Sequence, residues 1–218
     1  MLFSAQFLIF LTAAVLLAIA PGPGMLYVLA RSLAGGRREG LLSAVGTFFG
    51  GMVHVFAAAA GISIILAKSA LAFAAVKYLG AAYLCFLGVR MILEGRRDSV
   101  TTPLPVSGKA PASSLPRPGN PLWQGVMTEA LNPKTALFFL SFIPQFVDHA
   151  RGHVFEQFIL LGAISVTLNT TADVIVTILA GPIGQRIRGS ARFRRRQRTA
   201  TGAIMIGLGA YLALAESK

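Results

Sequence analysis

Charge is what this chain has least of. Asp, Glu, Lys and Arg together make up 13% of 218 residues, and only 8 are acidic. A soluble domain takes about a quarter of its residues from those four types to cover its outside. This chain cannot do so, which excludes a soluble globular fold and makes lipid the solvent for most of its surface. Cysteine is nearly absent as well. Cys85 stands alone inside an apolar run, so no intramolecular disulfide can form. A membrane thiol–disulfide reductase, which needs a cysteine pair, is excluded too, and Cys85 reads as a small core residue. His54, in the second run, stands without cysteine or acidic neighbours, so neither a metal site nor a cofactor is expected. The first 20 residues lack Lys and Arg. Ala18-Ile19-Ala20 imitates a signal-peptide cleavage site, but the n-region has no positive charge and Pro21 would obstruct the cut. A retained first helix is expected.

What the chain does have is apolar length. Hydrophobic residues reach 55% and the mean hydropathy is +0.68. Six runs, at 4–31, 41–66, 70–93, 121–147, 154–180 and 199–215, are long enough for helices that cross a bilayer core of about 30 Å. Barrel strands alternate and are about half that length. The expected fold is an all-α integral membrane protein with six transmembrane helices.

The net charge of +12 is unevenly spread. Fifteen of the 20 basic residues fall in the loops between runs one and two, three and four, and five and six, including the tract Arg192-Phe193-Arg194-Arg195-Arg196-Gln197-Arg198. The positive-inside rule puts those loops in the cytoplasm and both termini on the opposite side. Anionic lipid headgroups, rather than nucleic acid, are the expected partners of the basic tract.

Residues 99–119 carry Pro103, Pro105, Pro111, Pro116 and Pro118 among Ser, Thr and Gly, the composition of a flexible linker. It separates a first three-helix repeat (1–98) from a second (120–218). Each half opens with a run interrupted at proline, at Pro21-Gly22-Pro23-Gly24 and at Asn132-Pro133-Lys134, so helices 1 and 4 are expected to be broken. Setting Gly50 against Asn169 places His54 against Asp173. Three spans per half force opposite orientations, the inverted repeat of many secondary transporters.

Freed backbone groups are tolerated in lipid only where protein or a water-filled cavity covers them, so both breaks should face the bundle interior. The N–H groups of Gly24, Met25 and Leu26 begin a half-helix and suit a carboxylate. The carbonyls near Ile19 and Ala20 end the previous one and suit an ammonium group. Lys134 lies mid-span, where an ionisable group is costly unless paired or hydrated; Glu129 and Asp173 are its candidate partners, in a structural ion pair or on a transport pathway. Asn169 and Asp173 share a helix face with Thr170 nearby, so Asn169 and Thr170 read as lining a polar cavity or joining helices. His54, Glu129 and Asp173 are the candidate proton carriers; the alternative for His54 is an interhelical hydrogen bond. Gly46, Gly50 and Gly51, with Gly202, Gly207 and Gly209, allow close helix packing. Packing within one subunit is the default and a homodimer seam the alternative.

Several stretches resemble the LysE/RhtB amino-acid exporters, and most closely their homoserine/threonine branch. They are Pro21-Gly22-Pro23-Gly24-Met25-Leu26-Tyr27-Val28 with Gly36-Arg37-Arg38-Glu39-Gly40-Leu41, Gly80-Ala81-Ala82-Tyr83-Leu84 with Gly88, and Leu131-Asn132-Pro133-Lys134 with Phe138-Phe139 and Pro144-Gln145-Phe146-Val147. The similarity covers nearly the whole chain outside the linker. Family members often carry Asn after Pro-Gly-Pro where this chain has Gly24. The resemblance implies export of amino acids or related small metabolites across the bacterial inner membrane, driven by protons. The residues fit this independently: the expected substrate site is Pro21, Gly22, Pro23, Gly24, Met25, Asn132, Pro133 and Lys134, whose half-helix ends offer a zwitterion both poles it needs. An oligomeric channel is the rival reading; a membrane enzyme would need a nucleophile–base set or metal cluster that the sequence lacks.

Overall fold

The structure, a computed structural model, describes residues 5–68, 70–97, 119–188 and 191–214. All its described elements are helical. In chain order they are α1 (Ala5–Ile19), α2 (Pro23–Lys68), α3 (Ala70–Arg97), α4 (Pro121–Ala130), α5 (Pro133–Leu137), α6 (Val154–Arg188) and α7 (Ala191–Leu214). A π-helical turn, Phe138–Phe142, follows α5 directly, and short 3-10 turns lead to α6. The sequence-predicted linker lies almost entirely outside the described residues.

Both expected breaks are present. The first separates α1 from α2 at Ala20–Gly22, and the second separates α4 from α5 at Leu131–Asn132. Asn132 caps α5 by accepting from the Lys134 amide at 3.1 Å, and Pro133 takes the first helical position, where its missing N–H costs nothing. A further interruption falls within α2. Gly36 has φ 77° and ψ −172°, a backbone state that disfavours any side chain, and the chain turns there between the first and second apolar runs. Nearby, Arg31 pairs with Glu39 at 3.4 Å. Among the described residues, Pro23–Gly61 and Val154–Ala180 are helical stretches long and apolar enough to cross a membrane; Ala5–Ile19 and Thr199–Leu214 are shorter apolar helices.

One boundary differs from expectation. The sequence reading starts the last helix at residue 199 with the basic tract as loop, whereas α7 begins at Ala191. Arginine is a good helix former, and no Pro or Gly interrupts the tract.

The halves interlock. Helix α2 packs on α4 and α6, and α3 packs on α7. Missing side chains set these crossings. A Cβ on Gly46 would stand 3.0 Å from Gly125 Cα, and one on Gly88 would stand 3.0 Å from the Ile206 amide, so the backbones approach as only glycine permits. Gly51 meets Val166, and Gly209 meets Ala81 and Cys85. These glycines are therefore used within one subunit. Gly207 has open space instead and borders a groove of about 440 Å³ between α1 and α7, lined by Leu8, Leu16, Phe142 and Tyr211. Large apolar side chains such as Leu26, Phe49, Leu79, Phe86 and Leu160 remain exposed, as a lipid-facing surface requires. Phe10, Phe138, Phe142 and Phe158 are fully enclosed and pack the bundle behind the second break.

Candidate functional site

The two breaks meet. Helix α1 ends with carbonyls that have no helical donor ahead of them. The Ala20 amide satisfies Leu16 O at 3.1 Å, and the Leu17 and Ala20 carbonyls are left. Lys134, from the first turn of α5, donates Nζ to both, at 3.1 Å and 2.8 Å. A cation at a helix C-terminus also answers the local dipole. Gly22 makes room for it: a Cβ there would stand 3.1 Å from both Lys134 Cδ and Nζ.

The carboxylate counterpart is Glu129, in the last turn of α4. Its side chain is buried, with Thr135 Oγ1 donating to Oε1 at 2.6 Å and Asn132 Nδ2 donating to Oε2 at 3.1 Å. Oε2 fills the space that a side chain at Gly24 would occupy. Gly24 is in the first turn of α2, ahead of its first helical bond, from the Leu26 amide to Gly22 O. A negative group therefore sits where the helix presents its positive end. The asparagine often found after Pro-Gly-Pro in the resembling family would collide with this carboxylate.

His54 answers the other broken end. Its Nε2 donates to the Glu129 carbonyl at 2.9 Å, an acceptor at the end of α4 that it shares with the Asn132 amide, and its ring stacks on Phe139. The interhelical hydrogen bond expected of His54 is thus present. Asp173 is fully buried on α6. Thr47 Oγ1 donates to its Oδ2 at 2.8 Å, while Oδ1 is buried with no partner among the described residues. Lys134 feels the charges of both Glu129 and Asp173, but among the described residues neither makes a direct ion pair with it. Its ammonium lies instead on the carbonyls that the sequence reading left for a substrate.

A small cavity of about 20 Å³ adjoins these groups, room for one water. Leu17, Thr47, Glu129, Lys134, Phe138 and Asn169 are among its walls. Asn169 is thus at the cavity. Thr170 is not, and its hydroxyl is buried with no partner among the described residues. Pro21, Gly22 and Gly24 are buried behind Lys134 and Glu129, while Pro23 and Pro133 are exposed and Met25 is half-buried. Pro23 and Pro133 break the helices from outside and Pro21 from within, and the chemistry faces in. Thr47, Thr135 and Ser165 were missed by the sequence reading, although each is a hydroxyl inside an apolar run. That was the available signal.

Buried charges at paired broken ends, inside a helical bundle with an apolar exterior, define a membrane transport protein. The chain belongs to the LysE type translocator family, which it matches over residues 15–216. It is similar to an uncharacterised membrane protein of Vibrio cholerae, 32% identical over 96% of this chain and 97% of the relative. One from Pseudomonas aeruginosa is 34% identical over 96% and 95%. The leucine efflux protein of Klebsiella pneumoniae is 31% identical over 97% and 96%. No solved structure matches the chain. The protein is thus a membrane-embedded translocator and not an enzyme.

Proposed function

We propose that this protein exports amino acids with apolar side chains, leucine first among them, across the bacterial inner membrane by alternating access in antiport with protons. The observation that carries the reading is the meeting of the two breaks. The C-terminal carbonyls of α1 and the N-terminal turn of α2 offer an ammonium pole and a carboxylate pole side by side. Phe138, Phe139 and Val166 beside them suit an apolar side chain. The relatives named leucine efflux proteins support that choice.

The break residues Pro21 to Met25 and Asn132 to Lys134 build this site. Asp173, with its unpartnered oxygen, is the leading proton carrier. Six crossings run through α1 with the first part of α2, the rest of α2, α3, α4 with α5, α6, and α7, as two inverted halves. Both termini are periplasmic.

Efflux of labelled leucine from proteoliposomes tests the reading. The wild-type chain is expected to give saturable efflux accelerated by an inward proton gradient. The Pro23→Ala/Lys134→Ala double variant should be about tenfold slower, the loss of charged hydrogen bonds at the site. Unchanged efflux in the double variant would remove the breaks from the mechanism, and conduction without saturation would indicate a channel.

A further inference from the structure

The substrate-free site is not empty of charge. Resting on the exporter reading above, we propose that Lys134 is a tethered stand-in for the ammonium group of the transported amino acid. It occupies the end of α1 while the site is vacant, and incoming substrate displaces it.

Three features carry this. The first is chemical identity: Lys134 is a primary ammonium, and it donates to Leu17 O and Ala20 O, the acceptors that the amino group of a zwitterion would need. The second is the matching pole. The Glu129 carboxylate stands against Gly24 at the start of α2, so the chain's own side chains reproduce both charges of an amino acid across one break. The third is space. Gly22 and Gly24 are what admit Lys134 and Glu129, and the remaining cavity of about 20 Å³ has no room for an amino acid. Substrate can enter only if these groups move, and the long flexible lysine is the one able to swing.

The stand-in has a use in an exporter. After release outside, the vacant carrier must return through a low-dielectric interior, where an uncapped helix end is costly. Lys134 caps that end in the absence of substrate and lets the vacant carrier return. Without it, reorientation needs an amino acid bound in both directions, and the protein becomes an exchanger.

Full-length protein in nanodiscs, titrated with labelled leucine, tests the proposal. Displacing Lys134 is an affinity penalty that Lys134→Met removes, so this variant is expected to bind leucine about tenfold tighter than wild type. In proteoliposomes it should lose net efflux much more than leucine–leucine exchange. Weaker binding, with efflux and exchange falling equally, overturns the proposal and makes Lys134 a direct ligand of the substrate. Gly22→Ala is the second variant, in case Lys134→Met does not fold. Its Cβ would stand 3.1 Å from Lys134 Cδ and Nζ, crowding the ammonium and weakening its hold on the α1 carbonyls while keeping the lysine. Tighter binding again supports the stand-in; unchanged or weaker binding overturns it. If the wild-type chain neither binds nor moves leucine or another neutral amino acid, the exporter reading itself fails and the stand-in falls with it.

Discussion

Asp173 is fully buried, yet among the described residues only one of its carboxylate oxygens has a partner: Thr47 donates to Oδ2, and Oδ1 has none. A buried polar atom left unpaired costs about 1–3 kcal/mol, more if charged. A carboxylate with one oxygen held by a hydroxyl and the other turned to no side-chain donor has a place for a proton. Under proton antiport, Asp173→Asn should fold and still accept from Thr47, but an imposed pH gradient should no longer accelerate efflux. Gradient stimulation equal to wild type would take Asp173 out of the coupling. Asp173 and Lys134 were legible in the sequence because a charge inside an apolar run stands out against its cost. Their partners were not. Lys134 reaches carbonyls 114 and 117 positions away, and backbone acceptors leave no mark on a sequence. The same reason explains why the α1 carbonyls looked open to substrate. Their occupant comes from the other half of the chain.

At the scale of elements, local chemistry announced the breaks. Two prolines and two glycines in four residues, and Asn-Pro at a helix start, fix the backbone without tertiary help. The π-helical turn at Phe138–Phe142 has no such signature, since phenylalanine carries no preference for it; packing among Phe138, Phe139, Phe142 and Phe146 accompanies it. Glycine spacing suggested close helix contact but not with which helix. The Gly46–Gly125 crossing of α2 on α4 carries Glu129 toward Gly24, so it matters to the site as well as to the fold. Gly46→Ala is expected to destabilise by about 1–3 kcal/mol, because its Cβ meets backbone that cannot yield. Gly207→Ala, with nothing within 4 Å of its Cβ, should instead stabilise α7 by about 0.5–1 kcal/mol. Denaturant unfolding in detergent compares the two. A Gly46→Ala variant as stable as wild type would show that α2 and α4 can separate without cost.

For the whole molecule, the interlocking of the halves limits how it can move. Helix α2 of the first half lies on α4 and α6 of the second, and α3 lies on α7. The two breaks become one site only because of this pairing. If the halves are inverted copies, rocking one against the other exposes the site to each side in turn, and the resting cap on α1 joins them across the moving seam. That account requires opposite membrane orientation of the halves, and the basic residues supply the means to check it. The turn at Gly36, the segment 99–119 and the junction before Ala191 should all be cytoplasmic, with both termini periplasmic. Reporter fusions at these three places and at residue 218 read the side directly. A cytoplasmic C-terminus beside a periplasmic N-terminus would mean an odd number of crossings. The halves could then not be antiparallel, and the meeting of the two breaks would have to work through some motion other than the rocking of inverted repeats.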